Sequence, residues 1–518
     1  MQCSVIEYLT VFFLLLSIKI ILMWSQIVRR LSTSALTRVR HPKLRRSPHY
    51  ATLTDKDVNF FERLLPDGRV LTNPDDCLPY NVDWIKTCQG QSQLVVRPKT
   101  TEEVRAILRY CNERRLAVCP QSGNTSLAGG SVPVFDEIVL SLRLFNSIGE
   151  FDENSGVLLT DPGCILQTLD SHVRQFGHMM PLDLAAKGSC LIGGNVATNA
   201  GGIRVVRFGS LRSAVLGLEI VLADGSLLNC LSSLRKDNTG VDLKQPFIGS
   251  EGILGVITRI ALACPSASSD VGLGFFSCSS FENILSTMRL AKKICGETLS
   301  AIEFLDRATY DLSLRFLQRT NKPVESNEFY ILVETMSATD EHSKATLEKL
   351  ATVALEKGFI TDGTLAQDLT QYNDLWAIRE SVSESLRADG YPFKYDFSLP
   401  PSRMYKLVEE TQQRMKPFSN VGTVAGFGHL GDQNLHLNVT VKDGYSDEIK
   451  NVLEPWLYEW VAKQDGSVSA EHGLGLHKSK YLLLNKGKQS VETMKQMKNM
   501  LDPKCILNPY KVLPYQTD

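Results

Sequence analysis

Residues 434–441 read NLHLNVTV, so Leu435, Leu437, Val439 and Val441 alternate with His436, Asn438 and Thr440. Period two predicts a strand with one apolar and one polar face. Residues 421–425 predict a second strand just upstream. The literal G-x-G-x-x-G of Gly426, Gly428 and Gly431 therefore joins strand to strand. A dinucleotide fingerprint needs strand, turn and helix, so that reading is excluded.

Similar short apolar runs at 116–120, 137–142, 156–162 and 215–225 alternate with helical patterns and glycine-rich turns. From 266 to about 420 glycine thins out, and helices are predicted at 281–295 and 341–358 with a strand at 328–335. In 375–390, Leu375, Ile378, Val382 and Leu386 form an apolar stripe at helical spacing. Arg379 and Ser383, four apart, are expected to stack beside it on one helix. The run YPFKYDFSL alternates again and sets Lys394 opposite to Phe393 and Tyr395. Residues 446–518 read mainly helical. These shifts predict an α+β protein with domains at 51–265 and 266–445 and a C-terminal region at 446–518.

Residues 1–50 stand apart. An apolar run at 8–24, interrupted by Lys19, is slightly short for a spanning helix. Residues 25–50 follow with seven Arg or Lys, many Ser and Thr and no acid, the composition of a mitochondrial transit peptide. Translation from Met23 would supply such a presequence alone, whereas translation from Met1 leaves a signal anchor as the competing reading.

Composition removes other classes. Fifty-six basic against 57 acidic residues give no footprint for nucleic acid. Twelve cysteines without a C-x-x-C pair form neither a disulfide framework nor a zinc ribbon. They fit small buried hydrophobes in a reduced compartment.

Candidate chemistry concentrates in a few segments. PQSGNTSLAGGSVP (120–133), KGSCLIGGNVATNAGGIRVVRFGSL (187–211) and FIGSEGILGVIT (247–258) are dense in glycine and small polar residues. Such loops let backbone N–H groups converge on an anion, so a phosphate-bearing ligand is indicated. No P-loop motif is present. Of nine histidines, His429 is expected in a turn between strands, His436 projects from the next strand, and His472 follows Glu471 in a glycine-flanked loop. Two His and a carboxylate suffice for a catalytic zinc with an open position. A zinc hydrolase with structural glycine loops, and a non-catalytic binding protein, remain as readings from another class.

The segments P-x-x-G-N-T-x-x-x-G-G, I-G-G-N-x-A-T-N-A-G-G, R-x-G-S-L, V-x-A-D-G and I-G-S-E-G-x-L-G occur in the order and spacing of the vanillyl-alcohol oxidase superfamily. With GHLGD-NLHLNVT, GSVSAEHG and LDPK-ILNPYK, the chain resembles that superfamily's FAD- and metal-dependent D-2-hydroxyacid dehydrogenases. The resemblance implies a two-subdomain FAD-binding domain, an α+β substrate (cap) domain and a helical C-terminal region returning to the flavin. It implies non-covalent FAD held by Pro120, Gly123, Asn124, Thr125, Ser126, Gly129, Gly130, Ser131, Pro181, Asp183, Gly188 and Ser189. The same set continues through Gly193, Gly194, Asn195, Thr198, Asn199, Gly201, Gly202, Glu251, Gly252 and Asn508. His429, His436 and Glu471 would bind zinc or another divalent transition metal, and His472 would be the catalytic base. Arg379, Ser383, Lys394 and Asn438 would hold substrate. The implied reaction oxidises D-2-hydroxyglutarate to 2-oxoglutarate, with D-lactate as the rival substrate, in the mitochondrial matrix. Electron-transfer flavoprotein is the implied acceptor, and a homodimer is kept as one arrangement. The chain departs from the family pattern at Ser122, Leu191, Ile253, Ser383 and Gln433.

Overall fold

The computed structural model describes residues 44–339 and 341–514. The apolar run and transit-peptide segment lie mostly outside these residues. No helix among those described is long and apolar enough to cross a membrane.

Three sheets organise the chain. The first runs Val70–Leu71, Val95–Val96, Ile138–Ser141, Val118–Gln121, its last three strands parallel. Helix Thr101–Arg114 shows how the sequence builds this layer. Thr100 accepts the N–H of Glu103 as N-cap, and Arg115 ends the helix at φ 56°. Between them Val104, Ile107, Leu108 and Cys111, at i, i+3, i+4 and i+7, are buried in the core. Each large side chain there contributes about 1.5–3 kcal/mol, and Ile107→Ala would cost about 2–5 kcal/mol.

The second sheet is antiparallel, in the order Ile148–Asp152, Val157–Thr160, Val256–Ala263, Val215–Val221, Leu227–Cys230. Ile253 belongs to its hydrophobic core, whereas Leu191, also buried, lines the cavity described below. The C-terminal segment returns to the first sheet: Val118 donates its N–H to Ile506 and accepts from Asn508 at 2.8 and 2.7 Å.

The third sheet has seven antiparallel strands: Asp362–Leu365, Asp270–Cys278, Phe329–Ser337, Leu299–Asp306, Val421–His429, Asn434–Val441, Tyr391–Ser398. One face is a large apolar core holding Leu435, Leu437, Val439, Val441, Phe393, Tyr395 and Phe397. The alternation read from the sequence thus leaves His436, Asn438, Lys394 and Asp396 on the other face. Helices Arg307–Phe316, Leu369–Glu380 and Val382–Asp389 contribute the second core on that side.

Two expectations need correction. The stripe at 375–390 is not one helix but two, divided at Ser381. The Ser381 hydroxyl donates back to the Ile378 carbonyl at 3.2 Å, a side-chain bond that competes with the helical ladder. His429 does not sit in the turn; it closes its strand, paired with Glu303. All eleven described cysteines are free, nine of them buried.

Candidate active site

The glycine-rich segments meet around one cavity. Pro120, Gly123, Asn124, Thr125, Ser126, Gly130 and Ser131 line it together with Gly193, Gly194, Asn195, Thr198, Glu251 and Gly252. Ser122 also lines it, its Cβ 3.0 Å from where a side chain on Gly194 would begin. The backbone N–H groups of residues 123–127 have no acceptor among the described residues. A run of unspent donors on a cavity wall fits an anionic group such as the FAD pyrophosphate.

The other expected FAD contacts stand off that wall, each for a visible reason. Asp183 is paired with Lys187 at 2.9 Å, and the Asn199 side chain accepts the N–H of Arg212 at 2.9 Å. Pro181 is buried, Gly188 and Ser189 are exposed, and Gly129 packs on Cys88. Asn508 acts from behind, donating to the carbonyls of Gly130 at 3.2 Å and Glu251 at 2.8 Å. The Glu251 side chain grips loop 473–475 through the N–H groups of Leu474 and Gly475 at 2.7 and 2.8 Å. Gly202 gives its N–H to Glu471, and Gly201 leaves room for the same carboxylate.

Glu471 and His472 line this cavity too. They lie where the polar face of the seven-stranded sheet meets the glycine loops. Across the strands Glu303 opposes His429, Phe427 and Asp396 oppose His436, and Ala425 and Lys394 oppose Asn438. His429, His436 and His472 aim Nε2 at Glu471 Oε1 over 3.5, 3.7 and 3.8 Å. Their Nδ1 atoms face carboxylates: Glu303 for His429 at 2.8 Å, Asp396 for His436 and His472 at 3.9 and 3.6 Å. Donor atoms of Asp396, His436, Glu471 and His472 all fall within 4.8 Å of one another. Imidazoles backed by carboxylates and converging on a further carboxylate match a divalent transition-metal site.

The charges fit that reading. Burial opposes protonation of His429, but Glu303 and Glu471 outweigh it and hold the imidazole well above its ordinary range. Burial, then the charge on His429, pushes His436 down to about 3. Glu471 is drawn down to about 2 against its burial, by His429 first and then His472 and His436. Burial lifts Asp432 to about 7, and its Oδ1 is enclosed without a hydrogen-bond partner. A cation replacing the His429 proton would relieve this surplus of carboxylates.

The expected substrate residues separate into two environments. Lys394 and Asn438 are cross-strand neighbours on the site face, and burial lowers the Lys394 ammonium below its usual range. Arg379 is buried and committed to Glu303 through Nε at 2.9 Å and Nη2 at 2.8 Å. Ser383 is exposed beyond the helix break, so it does not share a face with Arg379 as the helical spacing suggested.

Two residues that sequence reasoning missed are Glu303 and Asp396. Asp396 is buried, accepts the N–H groups of Glu471 and His472 at 3.1 and 3.0 Å, and so shapes their loop. The available signal was an acid at the centre of an apolar strand, in SAIEFL and FKYDFS.

Residues 92–231 match the FAD binding domain family, and residues 268–512 match the C-terminal domain of FAD linked oxidases. The chain is 51% identical to the mitochondrial D-2-hydroxyglutarate dehydrogenase of Bos taurus, over 92% of this chain and 87% of that one. It is 38% identical to a D-2-hydroxyglutarate–pyruvate transhydrogenase of Saccharomyces cerevisiae, over 92% and 98%. In fold it is similar to p-cresol methylhydroxylase, with a TM-score of 0.72 at 15% identity, covering 89% of this chain and 97% of that one. The architecture is that of the vanillyl-alcohol oxidase type, and the protein is an FAD oxidoreductase belonging to the D-2-hydroxyglutarate dehydrogenase family.

Proposed function

We propose that the protein oxidises D-2-hydroxyglutarate to 2-oxoglutarate with FAD and a divalent metal, zinc or a chemical equivalent, in the mitochondrion. The observation that carries this reading is the shared cavity: Glu471 and His472 border the same space as the Pro120–Ser131 loop. When bound, FAD supplies the two-electron acceptor and the metal the Lewis acidity that makes the 2-hydroxyl more acidic. His429, His436 and Glu471 would hold the metal, a choice supported by imidazole Nε2 atoms 3.5 and 3.7 Å from Glu471 Oε1. His472 takes the hydroxyl proton, oriented by Asp396 on its Nδ1 side. As that proton leaves, the C2 hydrogen departs with its electron pair, so substrate loses two electrons and two protons. Lys394 and Asn438 face the substrate from adjacent strands, and Arg379 supplies a second cation for the distal carboxylate, while the exposed Ser383, off that face, takes no part in this reading.

The metal is the finer part of the reading, supported by the donor geometry and by the unpartnered Asp432. Electron-transfer flavoprotein as acceptor and a homodimer rest on the resemblance, and the pyruvate-linked yeast relative supplies a rival acceptor. An anaerobic visible spectrum tests the core. The flavin bands should bleach with D-2-hydroxyglutarate and persist with its L-enantiomer. Bands that survive both would overturn the substrate, and a protein that stays colourless after added FAD would overturn the cofactor.

A further inference from the structure

Glu303 lies at the centre of strand Leu299–Asp306, wholly buried, with no place in the set of metal and substrate residues. Both of its oxygens are spent on that set. Oε1 accepts from His429 Nδ1 at 2.8 Å, and Oε2 accepts from Arg379 Nε at 2.9 Å and forms an ion pair with Nη2 at 2.8 Å. The guanidinium also lies 4.7 Å over the ring of Phe427, two residues before His429 on the same strand. Arg379 is thus oriented on two sides, and among the described residues its Nη1 has no carboxylate.

We propose that Glu303 is a positioning residue that couples metal affinity to recognition of the substrate's distal carboxylate. The proposal rests on the function given above, in which His429 holds the metal and Arg379 the distal carboxylate. One shared carboxylate makes the two events dependent. Arg379 draws the negative charge of Glu303 toward Oε2. A distal carboxylate arriving at Nη1 takes part of the guanidinium's charge, leaving more of the Glu303 charge for the Nδ1–H of His429. A stronger hydrogen bond at Nδ1 makes Nε2 a better donor to the metal. Coupling of this kind is reciprocal: a bound metal, by drawing on His429, favours the dicarboxylate over a monocarboxylate of equal length. Simple packing would give Glu303 a role in folding but none in this discrimination.

The test uses the FAD-loaded protein, zinc alone as the metal, and two non-reacting ligands: 2-oxoglutarate, and 2-oxovalerate, which has the same chain length but no distal carboxylate. Zinc affinity is measured by chelator competition with neither ligand, then with each. In the unmodified protein 2-oxoglutarate should tighten zinc about fivefold or more beyond 2-oxovalerate. Glu303→Gln should weaken zinc about 10- to 100-fold and abolish the difference between the ligands. Arg379→Met should abolish the difference as well, and combining it with Glu303→Gln should add nothing further to that loss. Should Glu303→Gln not fold, Glu303→Asp keeps the charge but is too short to reach both partners, and it too should lose the discrimination. Unchanged zinc affinity in a folded Glu303 variant, a ligand difference that persists in it, or no difference in the unmodified protein would each overturn the proposal. Bleaching by D-2-hydroxyglutarate is recorded on the same samples. A failed function therefore shows as an unbleached parent protein, and a failed coupling as a bleaching parent with indifferent zinc binding.

Discussion

Gly202 donates its backbone N–H to Glu471 Oε2 at 2.7 Å, joining positions 269 apart in the chain. The glycine-rich segment and the carboxylate proposed to bind the metal are thereby parts of one structure. Gly202 is at φ 85°, a conformation that favours glycine, and a Cβ there would lie 2.2 Å from the Asp183 carbonyl. Its neighbour Gly201 is the informative position, because a Cβ there would lie 2.8 Å from Glu471 Oε2. Gly201→Ala should push that carboxylate aside and weaken metal binding by about tenfold or more, with flavin retained. Metal content and flavin absorbance on the same purified sample check this. Equal loss of both would mean the loop collapses as a whole.

His472 touches Asp396 and Glu471 at longer range than a hydrogen bond, and it is the most exposed of the three site histidines, at 26%. Its replacement should spare the metal and remove the base. His472→Ala should lower kcat by about 10²- to 10⁴-fold with metal stoichiometry unchanged. A metal-free variant would mean that His472 is itself a ligand.

Arg379 and Glu303 are both nearly excluded from water, so removing one strands the other. Arg379→Ala should destabilise the fold by about 3–5 kcal/mol, seen as a lower midpoint in urea. In folded protein, kcat/KM for D-2-hydroxyglutarate should fall far more than for D-lactate, which has no distal carboxylate. Equal losses on the two substrates would remove Arg379 from substrate recognition.

Lys394 supplies a pH dependence. Burial lowers its pKa, so the ammonium neutralises at lower pH than an ordinary lysine, whose value is about 10.4. The attraction for a distal carboxylate is present below that lowered pKa and lost as pH rises through it. KM for D-2-hydroxyglutarate should therefore climb on the alkaline side while KM for D-lactate stays flat. Lys394→Met should raise the neutral-pH KM and abolish the alkaline climb; a climb that persists in the variant assigns it to another group.

Much of the fold was legible because alternation and helical spacing are local properties. The helix expected at 281–295 forms at Phe281–Cys295, where Ser280 caps it and Gly296 ends it. The strand around His436 forms as read, since a period of two leaves only one way to bury Leu435, Leu437 and Val439. The helix through Arg379 divides at Ser381, where the hydroxyl bonds back to the Ile378 carbonyl, a local detail the apolar stripe does not reveal.

By itself the sequence determined which side chains share a face, where the anion-binding loops fall and which residue types could bind a metal. Tertiary structure alone decided that loop 469–475 closes on the glycine segments, because only packing brings Asp396, from the seven-stranded sheet, and Glu251, from the turn ahead of strand Val256–Ala263, together to grip its backbone. It also decided that Glu303 serves two masters. An acid in a strand is a local fact, but its partners come from a helix and from the neighbouring strand. Their meeting depends on how those elements stack around a buried charge that must be satisfied.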